Sequence, residues 1–198
     1  SLACNEIIHI KEEIMGKIVV TGCEIEGLYV IEPTVYADSR GYFFESYNEA
    51  DFVSAGIDKK FVQDNQSMSS KGVLRGLHFQ KEHPQAKLVR VISGEVYDVA
   101  VDLRKGSATF GKHFGVILSA ENKKQFFIPE GFAHGFLVLS EKAEFAYKCS
   151  DFYHPNDEGG IIWNDKDIAI DWHIPEGIEP VISDKDAKLP AFKDAFIF

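Results

Sequence analysis

Between Glu95 and Leu103 the chain alternates. Tyr97, Val99, Val101 and Leu103 fall on one side, and Val96, Asp98, Ala100 and Asp102 on the other. A repeat of two is the period of an extended strand, whose successive side chains point to opposite faces. Lys87 to Ile92 precedes this segment, and the intervening Ser93-Gly94 predicts a two-residue hairpin turn. Phe114 to Leu118 repeats the alternation. Gln125 to Ile128 and Gly135 to Leu139 flank a Pro129-Glu130-Gly131 turn, and Glu144 to Cys149 is a further strand. Short strands with turns about every ten residues predict an all-β sandwich or small barrel. The strongest helix signal is Asn48 to Ala55, where Asn48 can cap and Glu49 and Asp51 suit the positive end of the dipole. The tail after Asp157, with Pro175, Pro180 and Pro190, reads as irregular.

A length of 198 residues favours one domain, and a chain of this size buries roughly 70% of its unfolded surface. With 45% hydrophobic and 26% charged residues the composition is that of a globular protein, which excludes disordered and collagen-like classes. No apolar run approaches the ~20 residues that cross a bilayer. The net charge of −10 argues against nucleic-acid and anionic-membrane partners, so an anionic ligand would need a local cluster of Arg and Lys. Cys4, Cys23 and Cys149 show neither a metal spacing nor a disulfide framework and read as reduced, cytoplasmic thiols. Residues 1–16 read as an N-terminal extension or cloning remnant, with Met15 as an alternative start, before a single domain over residues 17–198.

Several segments carry more than pattern. In chain order they are Asp38-Ser39-Arg40-Gly41-Tyr42-Phe43-Phe44-Glu45, Phe61-Val62-Gln63-Asp64-Asn65, Val73-Leu74-Arg75-Gly76-Leu77-His78-Phe79-Gln80, Ile128-Pro129-Glu130-Gly131-Phe132-Ala133-His134-Gly135-Phe136, Glu144-Phe145-Ala146-Tyr147-Lys148, Trp163-Asn164-Asp165 and Ser183-Asp184-Lys185-Asp186. Their order and spacing, from about Lys17 to Pro190, resemble the dTDP-4-dehydrorhamnose 3,5-epimerase family of the dTDP-L-rhamnose pathway. The resemblance implies a cupin-type jelly roll with a few short helices, a homodimer, a dTDP-sugar substrate and no cofactor. Pro129-x-Gly131-x-x-His134 resembles the second cupin motif, whereas His78 is followed by Phe79 and Gln80 and lacks the His-x-His of metal-binding relatives. That departure points to a metal-free cupin.

The chemistry can be stated from the substrate. A 4-keto sugar has acidic hydrogens at carbons 3 and 5. Inverting either carbon takes a base on one face, a proton donor on the other and a group that holds the enolate oxygen. No redox step is involved, and the chain has no G-x-G-x-x-G fingerprint. His78 is the candidate base, because imidazole titrates near neutrality; its plain alternative is a hydrogen-bonded barrel histidine. The resemblance makes Asp186 the carboxylate that orients it, with Asp102, inside a strand, as the rival. It makes Tyr147 the opposite-face acid, a phenol that stays protonated, where the plain reading is a core tyrosine. It gives Lys87 the enolate oxygen, where the plain reading is a solvated strand-edge lysine.

The diphosphate needs cations, and the resemblance supplies Arg75 and Arg40, whose guanidinium forks suit phosphate oxygens; Lys185 also matches a substrate-contacting position. Gln63, Asn65 and Glu45 offer hydrogen bonds to sugar or base, and Glu158 is a further contact. The resemblance implies that Tyr153 stacks on the thymine and that His134 lies near the sugar ring. In the family the segment around Arg40, Phe43 and Glu45 enters the partner subunit's site. The competing readings are a single-carbon epimerase or ketoisomerase on a related dTDP-deoxysugar, a non-catalytic sugar-nucleotide-binding cupin, and a metal-dependent cupin oxygenase.

Overall fold

A computed structural model describes residues 12–15 and 17–198. The proposed extension at 1–16 and Cys4 therefore lie largely outside the described residues. In chain order the elements are β1 (Glu12–Met15), β2 (Ile18–Gly22), β3 (Tyr29–Pro33), β4 (Tyr36–Asp38), β5 (Gly41–Phe43), α1 (Glu49–Ser54), β6 (Gln63–Ser70), β7 (Leu74–Gln80), β8 (Lys87–Ser93) and β9 (Glu95–Asp102). They continue with β10 (His113–Ser119), β11 (Gln125–Ile128), β12 (Phe132–Val138), β13 (Lys142–Cys149) and β14 (Glu158–Gly160). One sheet runs β1-β2-β3-β11-β8-β13-β6, a second runs β10-β9-β12-β7-β14, and β4 and β5 form a separate hairpin. Neighbouring strands within each sheet are antiparallel. Two facing antiparallel sheets form the sandwich that the strand spacing predicts, and the jelly-roll architecture that the resemblance implies.

The alternation of β9 is real, but both of its faces are buried. Val96 and Ala100 point between the sheets, where they meet Val89, Val91, Phe126, Ile128 and Phe145 of the first sheet. Tyr97, Val99 and Val101, with Leu103, point outward and are covered by the chain after β14, through Ile161, Ile168 and Trp172. The irregular tail is therefore a third layer. Trp172 Nε1 donates to the Trp163 carbonyl at 2.8 Å, and Asp165 accepts the amides of Asp167, Ile168 and Phe192. Emptying the central Phe145 position would cost about 3–5 kcal/mol. On the outer face of the first sheet, Phe52 of α1 packs with Ile18, Ile31, Leu88 and Phe127. Asn48 caps α1 as its sequence predicts, accepting from the Ala50 and Asp51 amides.

The predicted hairpin at Ser93-Gly94 does not form. β8 belongs to the first sheet and β9 to the second, so the chain turns a corner between sheets. Val89 and Val91 before the corner and Val96 and Ala100 after it enter the same core. Burying both sets together outweighs the pairing that a hairpin would offer. Gly94 makes the corner at φ +80°, where a Cβ would collide with the Lys142 carbonyl oxygen. The Pro129-Glu130-Gly131 turn is likewise a sheet-to-sheet crossing, and the strand after it begins at Phe132 rather than Gly135.

Candidate active site

The open end of the sandwich between the sheets holds two adjoining lobes of about 510 and 340 Å³. His78, Lys87 and Tyr147 border both lobes. Strand alternation explains their direction. Leu77 and Phe79 pack into the outer core, so His78 between them faces the cavity. Phe145 lies in the inner core and Tyr147, two residues on, points the same way. His78 comes from β7 of the second sheet and Tyr147 from β13 of the first, so the two stand on opposing walls.

His78 Nε2 lies 2.7 Å from Asp186 Oδ1. Asp186 is 5% exposed, and its Oδ2 accepts the Gly76 amide at 3.2 Å. Burial pushes its carboxyl up, but the His78 hydrogen bond and charge, the Gly76 amide and Ser183 outweigh this and hold it below the usual range. Gly76 permits this geometry. Its φ is +115°, and a Cβ there would lie 2.6 Å from the His134 carbonyl oxygen. The rival Asp102 is occupied elsewhere, accepting from Arg104, Ser107 and Thr109. Burial raises its carboxyl, yet those bonds hold it down at about 2.

His134 sits at the back of the larger lobe, its Nε2 2.9 and 3.0 Å from the two oxygens of fully buried Asp98. Desolvation lowers the imidazole and raises the carboxyl, each opposed by the other's charge. Burial also lowers the Lys87 ammonium, against the pull of Cys149, Asp98 and Glu158. Burial raises the Tyr147 phenol, which keeps it protonated.

Arg75 lines the larger lobe and donates through Nε to Ser69 Oγ at 3.1 Å. Lys185 lines it too, paired with Glu158 of the smaller lobe. Gln63, Asn65 and Tyr153 border the smaller lobe. Gln63 Nε2 donates to Asn65 Oδ1 at 3.0 Å, and its Oε1 accepts the Tyr153 amide at 3.0 Å. Tyr153 keeps 51% of its surface exposed.

Three expected contacts are not brought in. Arg40, on the β4–β5 hairpin, pairs with Asp38 at 2.6 Å; Phe43 is 64% exposed; Glu45 pairs with Lys17 at 3.0 Å. None of them lines either lobe. Conversely, sequence reasoning passed over Asp98, Ser67 and Ser183. The signal for Asp98 was a carboxylate between Val96 and Ala100 on the inward face of β9, a position where a charge survives only if paired.

A family model described as dTDP-4-dehydrorhamnose 3,5-epimerase matches residues 22–194. A curated enzyme of that name from Methanothermobacter thermautotrophicus is 59% identical over 162 residues, covering 82% of this chain and 88% of its own. The crystal structure of dTDP-4-dehydrorhamnose 3,5-epimerase from Elizabethkingia anophelis superposes with a TM-score of 0.85 at 55% identity, covering 90% of this chain and 98% of that one. The dTDP-6-deoxy-D-glucose-3,5-epimerase of Legionella pneumophila, solved with dTDP-4-keto-L-rhamnose, superposes equally well at 0.85 with 52% identity, covering 88% and 92%.

Proposed function

The chain belongs to the dTDP-4-dehydrorhamnose 3,5-epimerase family, and we propose that it inverts carbons 3 and 5 of dTDP-4-dehydro-6-deoxy-D-glucose through His78, Asp186, Lys87 and Tyr147. It is a sugar-nucleotide epimerase, an isomerase, and its product is dTDP-4-dehydro-L-rhamnose. The observation that carries the residue roles is the opposition of His78 and Tyr147 on facing sheets, with Lys87 bordering the same two lobes.

The His78 imidazole takes the proton α to the carbonyl, and the C–H electron pair moves toward the carbonyl as an enolate. Asp186 stabilises the imidazolium that forms. The Lys87 ammonium, its proton held less tightly than an ordinary lysine's, donates to the enolate oxygen in a partly dry site. The Tyr147 phenol returns a proton to the carbon from the opposite face. Solvent then reprotonates the phenolate and takes the proton from His78, so the net change is one stereocentre. Repeating the cycle at the second carbon completes the product, and no electron leaves the sugar.

The larger lobe, with Arg75, Lys185 and His134, suits sugar and diphosphate. The smaller lobe, with Gln63, Asn65, Glu158 and exposed Tyr153, suits the thymidine. Arg40, Phe43 and Glu45 line neither of this chain's own lobes, which supports a homodimer in which they complete the partner's site. Among the described residues no helix is long and apolar enough to cross a membrane. The free thiols of Cys23 and Cys149 support a cytoplasmic setting.

The test is exchange in deuterium oxide with the dTDP-4-keto sugar and a coupled reductase to trap product. Deuterium at both carbons with trapped L-rhamno product supports the reading. Deuterium at one carbon alone would make the chain a single-carbon epimerase.

A further inference from the structure

We propose that His83, Asp151 and His154 form a binding site for one divalent cation of the zinc class, at the rim of the smaller lobe. One ligand atom from each residue lies within 4.8 Å of the other two. The two imidazoles stack with ring centroids 4.0 Å apart and planes 17° off parallel. His83 Nδ1 is 3.9 Å from Asp151 Oδ2, too far for a hydrogen bond yet close enough to share an ion.

The donor set is the chemistry that such a cation selects. Two neutral imidazoles and one carboxylate, with water as fourth ligand, make a tetrahedral N/O site. Ligand atoms around such an ion stand about 3.3 Å apart, which follows from metal–ligand lengths near 2.0 Å. Closing from the observed spacing requires the two imidazoles to rotate out of their stack so that their nitrogens converge, on backbone that hydrogen bonds already hold in place. Gln80, itself 4% exposed, donates to the carbonyls of His83 (2.7 Å) and Phe152 (3.1 Å) and accepts the His154 amide (2.7 Å). Gln85 Nε2 donates to the Asp151 carbonyl at 2.7 Å. The surrounding charge favours a cation, since Asp157 accepts the amides of Glu82 and His83 beside the cluster. An ion here would tie the His83 segment to the Asp151–His154 segment, which carries Tyr153.

None of the three ligands is itself a residue assigned to catalysis or substrate binding, so metal uptake and proton exchange can be read separately. Tag-free, chelator-stripped protein is dialysed against Zn²⁺, and in parallel titrated with Co²⁺ while visible absorption is followed. The expected result is one cation per chain with the intense visible bands of four-coordinate cobalt. His83→Ala and His154→Ala should each weaken binding by at least roughly 100-fold, the upper end of what losing an outer-shell partner costs, with the melting temperature and deuterium exchange of the metal-free protein unchanged. A parent protein that takes up less than one cation per chain overturns the site. So does a His83→Ala/His154→Ala double variant that binds as tightly as the parent.

Discussion

His78 and His134 are register partners across β7 and β12, and each turns a ring nitrogen to a different aspartate. Asp186 reaches His78 from the C-terminal tail at the mouth of the cavity, whereas Asp98 reaches His134 from β9 behind it. The outer pair has solvent beside it, with 37% of the His78 side chain exposed; the inner pair is sealed, with 8% of His134 and none of Asp98 exposed. A proton can enter and leave the first pair during turnover. The second pair holds its place in the wall.

His78→Ala therefore removes the base, and both deuterium exchange and product formation should fall about 10²–10⁴-fold. Asp186→Asn should lower kcat within the same range while the imidazole is still present, because the carboxylate no longer stabilises the imidazolium. Full exchange by His78→Ala would require another base in the cavity.

Tyr147→Phe separates abstraction from inversion. His78 still removes the proton, so wash-in of deuterium with retention should persist. Inversion should drop about 10²–10⁴-fold, since the opposite-face donor is gone. Equal loss of both signals would show that Tyr147 acts on substrate placement instead.

The β4–β5 hairpin gives a prediction that needs two inactive proteins. If Arg40 serves the partner's site, Arg40→Ala and His78→Ala chains are each impaired alone but complement when mixed. A heterodimer then holds one site with both residues intact. With random exchange at equal concentrations, about one quarter of the parent's sites are restored. Mixing that yields only the average of the two variants would place Arg40 outside any shared site.

Much of this was legible in the chain. The alternation of β9 and the cap on α1 are local signals that tertiary structure left intact, and the partnering of His78 with Asp186 followed from matched segments. The corner at Gly94 was not legible. A glycine turn between two alternating segments looks the same whether the strands pair or cross between sheets, and only the common burial of Val91 and Val96 decides it. Asp98 was missed because its partner, His134, comes from another strand whose register no local pattern fixes. Arg40 and Phe43 line neither lobe of this chain, and in the proposed homodimer the surface they meet belongs to another copy, which no pattern within one chain displays.

Asp102 carries the last prediction, one of stability. Its carboxylate, none of whose side chain is exposed, accepts from Arg104, Ser107 and Thr109 and organises the segment after β9. Asp102→Ala leaves those donors without their acceptor and should cost roughly 2–4 kcal/mol in urea unfolding. The pH dependence has a definite sign. The carboxyl sits at about 2 in the folded chain, against about 3.9 when unfolded. The unfolded chain thus takes up the proton first as pH falls. The stabilisation is complete above about pH 5 and is lost progressively toward about pH 1. Asp102→Asn carries no such group, so its stability should fall less steeply than the parent's across that window. Parallel curves for the two proteins would mean that Asp102 is not held as an anion by its neighbours.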